Sequence, residues 1–297
     1  MPTRILANLI NLLSIMKNIS IIKIFKLLNI LYLVILFTFF TQGLNARDTG
    51  KIDRKTVISR HNIDYNKPEF IAPVTLGNGK FAFTVDPTGL QTFAESYNKG
   101  IALGTMAEYG WHNTANPNNY KIEDTYKEFD SHGRKVIYAY DRPENDPSRP
   151  GKRKFLREAG EWLYENPTRI GLGRIGLVLT NSDGRPAKIE DIQNIKQHLE
   201  LWSGKLESYF ELEGYSVFVE TVVHPQLDMV AVRVKSQLIN LGRLKIGIRF
   251  PYVNGLWGGA PEDWESPGKH NTLITAQNST RVDFKRKLDE TVYFCSV

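Results

Sequence analysis

The chain has 297 residues, 41% of them hydrophobic and 24% charged, with 14 prolines, a balance that can bury a core and that excludes wholesale disorder. Its net charge of +6 is not a nucleic-acid signature, because Arg4, Lys17, Lys23 and Lys26 precede residue 47 in a stretch without Asp or Glu. Setting those four aside leaves 34 basic against 32 acidic residues, and no run of Lys and Arg interleaves with aromatics, so a nucleic-acid partner is not expected.

At the N-terminus, Lys17, Lys23 and Lys26 precede an uncharged apolar stretch at 27–40, and Thr41-Gln42-Gly43-Leu44-Asn45-Ala46 follows with small residues. This is the order of a basic region, an apolar region and a cleavage site, and the apolar part is shorter than the roughly 20 residues a spanning helix needs. The sequence therefore predicts a signal peptide over 1–46, removed near Ala46, with Met16 as an alternative start. Export to the periplasm or the medium follows, with the membrane touched only through an uncleaved leader. Cys295 is the sole cysteine, so neither an intramolecular disulfide nor a thiolate zinc site is expected.

From residue 56 onward the dominant signal is a two-residue period. Runs at 73–76 and 80–85 flank Gly77-Asn78-Gly79, and Phe81, Phe83 and Val85 alternate with Ala82 and Thr84, which reads as a hairpin followed by a turn at Asp86-Pro87-Thr88-Gly89. Loops are expected at 113–120 and at 141–151, the latter with Pro143, Pro147 and Pro150. Phe155, Leu156, Ala159, Trp162 and Leu163 share one helical face within 152–166, and Pro167 stops this helix, the only one expected in the mature region. Strands follow at 170–180, 195–202, 205–212, 215–223, 229–235 and 244–250, then at 272–277, 281–287 and 291–297. Short turns between them, with no helical crossover, predict a mainly β protein: a large antiparallel β-sandwich in one domain over 47–297. Along 215–223 both faces are largely apolar, so both are expected to be covered. The last strand is apolar and is expected to leave a sheet edge uncovered.

Several chemistries find no support. Gly77-Asn78-Gly79-Lys80 has no Ser or Thr after the Lys and opens a strand rather than a helix, so it is a turn and not a phosphate loop. His61, His112, His132, His198, His224 and His270 are scattered without the pairing a metal site needs, and no metal or cofactor is predicted. No Ser occupies a Gly-x-Ser-x-Gly elbow. Two aromatic clusters remain: Glu108-Tyr109-Gly110-Trp111-His112, and Tyr252-Val253-Asn254-Gly255-Leu256-Trp257-Gly258-Gly259 with Asp263-Trp264 and His270. Rings beside Asn, Asp, Glu and His can stack on a sugar while hydrogen-bonding its hydroxyls, which makes Trp111, His112, Trp257, Asp263 and Trp264 candidate substrate contacts. The alternative reading is that these rings plug the ends of the core.

The stretch Pro73-Val74-Thr75-Leu76-Gly77-Asn78-Gly79-Lys80-Phe81-Ala82-Phe83, the segment Leu103-Gly104-Thr105-Met106-Ala107-Glu108-Tyr109-Gly110-Trp111-His112, and Leu199-Glu200-Leu201-Trp202-Ser203-Gly204 with Tyr215-Ser216-Val217-Phe218-Val219-Glu220-Thr221 carry a resemblance. Together and in this order they resemble the N-terminal β-sandwich of bacterial glycoside hydrolases with an (α/α)6 barrel, of the family 65 type and more distantly family 95. The resemblance implies a supersandwich that packs on a catalytic barrel and lends loops to the rim of its sugar cleft. In that family the catalytic acid and its partner base or phosphate site lie in the barrel, so no catalytic residue carries over to this chain, which ends at Val297. The expected function is the non-catalytic domain of an exported glycoside hydrolase or phosphorylase, with an oligosaccharide and the barrel as partners. Alternatives are a free-standing carbohydrate-binding module and a structural remnant without function.

Overall fold

A computed structural model describes residues 52–141, 144–145, 153–255 and 262–297, together with 8, 10–14, 23, 26 and 32. The predicted leader and Trp257 lie outside the described residues, apart from those isolated positions before residue 47. The chain divides into two compact units, 1–54 and 55–297, and the second carries the features below.

In chain order the described residues from 54 onward form helix α1 (Arg54–Ser59) and strands β1 (Ile63–Tyr65), β2 (Val74–Gly77), β3 (Phe81–Val85), β4 (Thr105–Ala107), β5 (Trp111–His112), β6 (Tyr126–Ser131), β7 (Arg134–Ala139), β8 (Glu144–Asn145) and β9 (Arg153–Lys154). Helix α2 (Glu158–Glu165) precedes β10 (Thr168–Arg169), β11 (Arg174–Leu179), β12 (Ile192–Glu200), β13 (Lys205–Leu212), β14 (Tyr215–Val223) and β15 (Val230–Ser236). The series closes with β16 (Leu244–Arg249), β17 (Tyr252–Val253), β18 (Glu262–Asp263), β19 (His270–Gln277), β20 (Val282–Leu288) and β21 (Thr291–Ser296). The protein is mainly β, and among the described residues its strands pair antiparallel. The largest sheet runs β1-β12-β13-β14-β15, and three-stranded sheets β2-β3-β4 and β19-β20-β21 accompany the β11-β16 pair.

Alternation along the strands builds the core. Phe81, Phe83 and Val85 of β3 turn inward, as do Leu206, Phe210 and Leu212 of β13 and Val217 and Val219 of β14, and they join one cluster of buried side chains. Polar ties cross it. Gln197 Nε2 donates to the Asp86 carbonyl at 2.8 Å and Thr221 Oγ1 donates to the Gly89 carbonyl at 2.8 Å, which seats the turn after β3 on the inner face of the large sheet. Gly89 has φ +77°, and a Cβ there would lie 2.9 Å from Ser208 Oγ, so both conformation and clearance call for glycine.

Three expectations need correction. Only one face of β14 is buried: Phe218, Glu220 and Val222 are half-buried. Glu220 stands in a cross-strand row with Glu207 and Arg233, and such charges need solvent. The helix is shorter than 152–166, because the Asp141 carboxylate accepts from the backbone N–H groups of Leu156 (2.7 Å) and Arg157 (3.0 Å) and fixes the start just before Glu158. Phe155 and Leu156 therefore precede it, and Leu156 is exposed. It is not the only helix after residue 47 either, since α1 precedes β1. The β6-β7 hairpin, closed by His132 (φ 55°) and Gly133 (φ 80°), lies between the two expected loops, in a stretch for which the sequence predicted no element.

In the β19-β20-β21 sheet, Arg286 is fully buried, donating from Nη2 to the Pro251 carbonyl and from Nη1 to the Asn271 carbonyl, both at 2.9 Å. The opposite face carries Leu273 and Phe294 on either side of Lys285, and both apolar side chains are exposed.

Candidate functional site

Strands β17 and β18 pair Tyr252 with Asp263 and Val253 with Glu262. This pairing sets Asn254 beside Asp263 and Trp264 at a pocket of about 390 Å³, whose wall also includes Asn98, Arg174, Glu262 and Glu265. Gly171 lets Glu262 enter, since a Cβ at that position would lie 2.4 Å from the Glu262 Cγ.

Glu262 and Arg174 are both buried and form an ion pair, Arg174 Nη2 to Glu262 Oε2 at 2.6 Å. The same carboxylate oxygen accepts from Trp264 Nε1 at 3.1 Å. Glu262 Oε1 and Arg174 Nε have no hydrogen-bond partner among the described residues. Glu95 Oε1 lies 3.0 Å from Arg249 Nη1 and 3.6 Å from Arg174 Nη1, which extends the pair into a four-residue network. Both guanidinium groups approach the Trp264 ring, with centroid distances of 4.4 Å for Arg174 and 4.8 Å for Arg249. Burial raises the pKa of Glu262, and the Arg174 charge only partly offsets it. For Asp263 burial works in the same direction but is outweighed by hydrogen bonds from Ser266 and the Glu265 amide and by the charge of Lys269. Its carboxyl is held below the usual range.

Trp111 and His112 do not line this pocket. As neighbours on a strand they point to opposite faces. Trp111 is exposed, with the Arg169 guanidinium 3.8 Å from its ring centre. The His112 side chain has no exposed area: Nδ1 faces Thr291 Oγ1 at 2.8 Å and Nε2 faces Asp289 Oδ2 at 3.0 Å. Tyr252 donates to the same Asp289 oxygen at 2.7 Å. Burial lowers the His112 pKa against the opposing pull of Asp289. His112 is thus the centre of an interior knot and reaches no ligand in this conformation. His270 stacks on Tyr252 with an interplanar angle of 11°.

Of the candidate contacts, Asp263 and Trp264 come together at the pocket. Arg174 was missed, although a lone charge in an otherwise apolar strand at 170–180 is a legible sign of a buried partner. Glu262 was missed beside the Asp263-Trp264 pair, and Asn98 carries no sequence signal. Burial also raises the pKa of the Cys295 thiol, which keeps it protonated and a weak nucleophile. No protein-family model matches the chain, and no curated protein is significantly similar to it in sequence.

Proposed function

We propose that the β-sandwich is a carbohydrate-binding, non-catalytic domain of an exported glycoside hydrolase, of the type its sequence resembles. The observation that carries this reading is the Trp264 pocket. It combines a half-buried indole with the ionised Asp263 carboxylate and the amide side chains of Asn98 and Asn254. A pyranose offers an apolar C–H face and a rim of hydroxyls, and a ring beside convergent donors and acceptors suits both. Binding rather than turnover is favoured because Glu262 Oε2 is already engaged by Arg174 and Trp264. A glycosidase needs two carboxyl groups free to act across the scissile bond. The signal-like segment at 1–46 supports export.

Calorimetric titration with mono- and oligosaccharides tests the reading. Dissociation constants of about 0.1–10 mM are expected, weakened at least fivefold by Trp264→Ala, because one stacking contact contributes only about 1 kcal/mol. Submicromolar binding unaffected by Trp264→Ala would place the site elsewhere. Hydrolysis of chromogenic glycosides that one Asp or Glu substitution abolishes would overturn the non-catalytic assignment. A second reading is favoured by the two guanidinium groups on the Trp264 ring: the indole closes one end of the core as part of the ion-pair network. In that case Trp264→Ala lowers the melting temperature and leaves sugar titrations unchanged. N-terminal sequencing of protein from an exporting host tests the leader, with a start near Ala46 expected.

A further inference from the structure

We propose that the Trp264 pocket is one end of a longer groove that takes an extended glycan, with a second sugar ring lying over Gly247, beside the backbone that packs on Gly176; this rests on the carbohydrate-binding reading above. A depression of about 290 Å³ runs over the β11-β16 pair and shares Arg174 with the pocket. Arg249, which reaches the Trp264 ring, lines it too. Together the two depressions have the size of a small-molecule site, for which roughly 300–1,000 Å³ is typical.

The floor of the groove is unusual. Gly176 and Gly247 face each other across the strand pair, and the Gln91-Thr92 backbone packs over Gly176, so that Gly247 is the one of the two left open on this face. Gly176 is explained by packing, since a Cβ there would lie 2.8 Å from the Gln91 carbonyl oxygen and 3.0 Å from Thr92 Cα. Gly247 is not: it has no left-handed φ, and its Cβ would come close only to Val178 Cγ2, at 2.9 Å, the tip of an exposed side chain that can move. Neither conformation nor core packing asks for glycine at 247, in a strand where glycine costs stability. Clearance above the strand is what its missing side chain provides. A sugar ring needs such a flat bed, and the Arg249 and Glu95 side chains beside it supply a donor and an acceptor for hydroxyls. The orientation follows: the glycan runs from Trp264 past Arg174 along β11 and β16.

The test uses the full chain and malto-, cello- and xylo-oligosaccharides of one to four units. In the series that binds, affinity should rise about tenfold from the monosaccharide to the trisaccharide. Gly247→Val should abolish that increment while leaving monosaccharide binding within about twofold. Val178→Trp fills the groove from an exposed side chain without touching the strand register, and should do the same if Gly247→Val fails to fold. Equal affinity of the wild type for one and three units, or an increment that survives both substitutions, overturns the groove while leaving the pocket standing. Failure of every sugar to bind overturns the carbohydrate reading and the groove with it.

Discussion

His112 Nε2 lies 3.0 Å from Asp289 Oδ2 although 177 residues separate the two in the chain, and this contact ties β5 to the turn between β20 and β21. Thr291 holds the other ring nitrogen and Tyr252 shares the carboxylate, so one imidazole satisfies groups from distant parts of the fold. His112→Ala leaves these groups unpaired in a cavity and should cost about 2–4 kcal/mol in urea unfolding. A cost below about 1 kcal/mol would show that water replaces the ring without loss.

The same residue sets a pH dependence. Burial lowers the His112 pKa in the folded state, so below about pH 6.5 the unfolded chain takes up a proton that the folded one resists. Its contribution is present above that pH and is lost as pH falls through the folded value. Stability measured from pH 8 down to pH 5 should decline more steeply for the wild type than for His112→Asn.

Asp86 acts with the opposite sign. Burial pushes its carboxyl up to about 6, against hydrogen bonds from the Phe93 amide and from the Thr88 hydroxyl and amide. Its contribution is therefore full below about pH 3.8 and is lost as pH rises through about 6, a change on the order of 3 kcal/mol. Asp86→Asn removes the titration and keeps a carbonyl acceptor for Thr88. The stability of the wild type relative to this variant should fall between pH 4 and pH 7.5, and parallel profiles would contradict the assignment.

Arg174 and Glu262 should be strongly coupled. Arg174→Ala leaves a buried carboxylate without its partner and should destabilise by about 3–5 kcal/mol, whereas Glu262→Gln neutralises the other member and should cost less. A double-mutant cycle is expected to give a coupling of at least about 1 kcal/mol. Additive effects would mean that the pair is solvated in solution.

Asn78 fastens the β2-β3 hairpin to the turn after β14. Its side-chain Oδ1 accepts from the backbone amides of Lys80 and Phe81, both at 2.9 Å, and its Nδ2 donates to the His224 carbonyl at 3.0 Å and the Leu227 carbonyl at 3.1 Å. Asn78→Ala should cost about 2–3 kcal/mol. Asn78→Asp keeps the acceptors and loses the donors. Its hydrogen exchange should therefore speed up at 224–229 while Lys80 and Phe81 remain protected.

The local period of the sequence determined most of the strands. The hairpin around Gly77-Asn78-Gly79 and strands β13 and β14 fall where alternation and turn residues put them, because side-chain direction in a strand is a property of neighbours in sequence. Asp263 and Trp264, singled out as polar and aromatic residues beside a glycine-rich loop, are neighbours in sequence and so arrive at one pocket together. What the sequence could not display is any feature made by residues far apart in the chain. The start of α2 is set by Asp141, the burial of His112 by Asp289 and Thr291, and the wall of the Trp264 pocket by Asn98 and Arg174. Each depends on which strands become neighbours, and pairing across a sandwich is decided by the packing of whole sheets and not by the spacing of residues along one of them. Composition and period therefore determined that this chain is a mainly β sandwich with aromatic loop clusters. Only the tertiary structure decided that Trp264 would open on a pocket while His112, a candidate contact from the other aromatic cluster, would be closed inside the core.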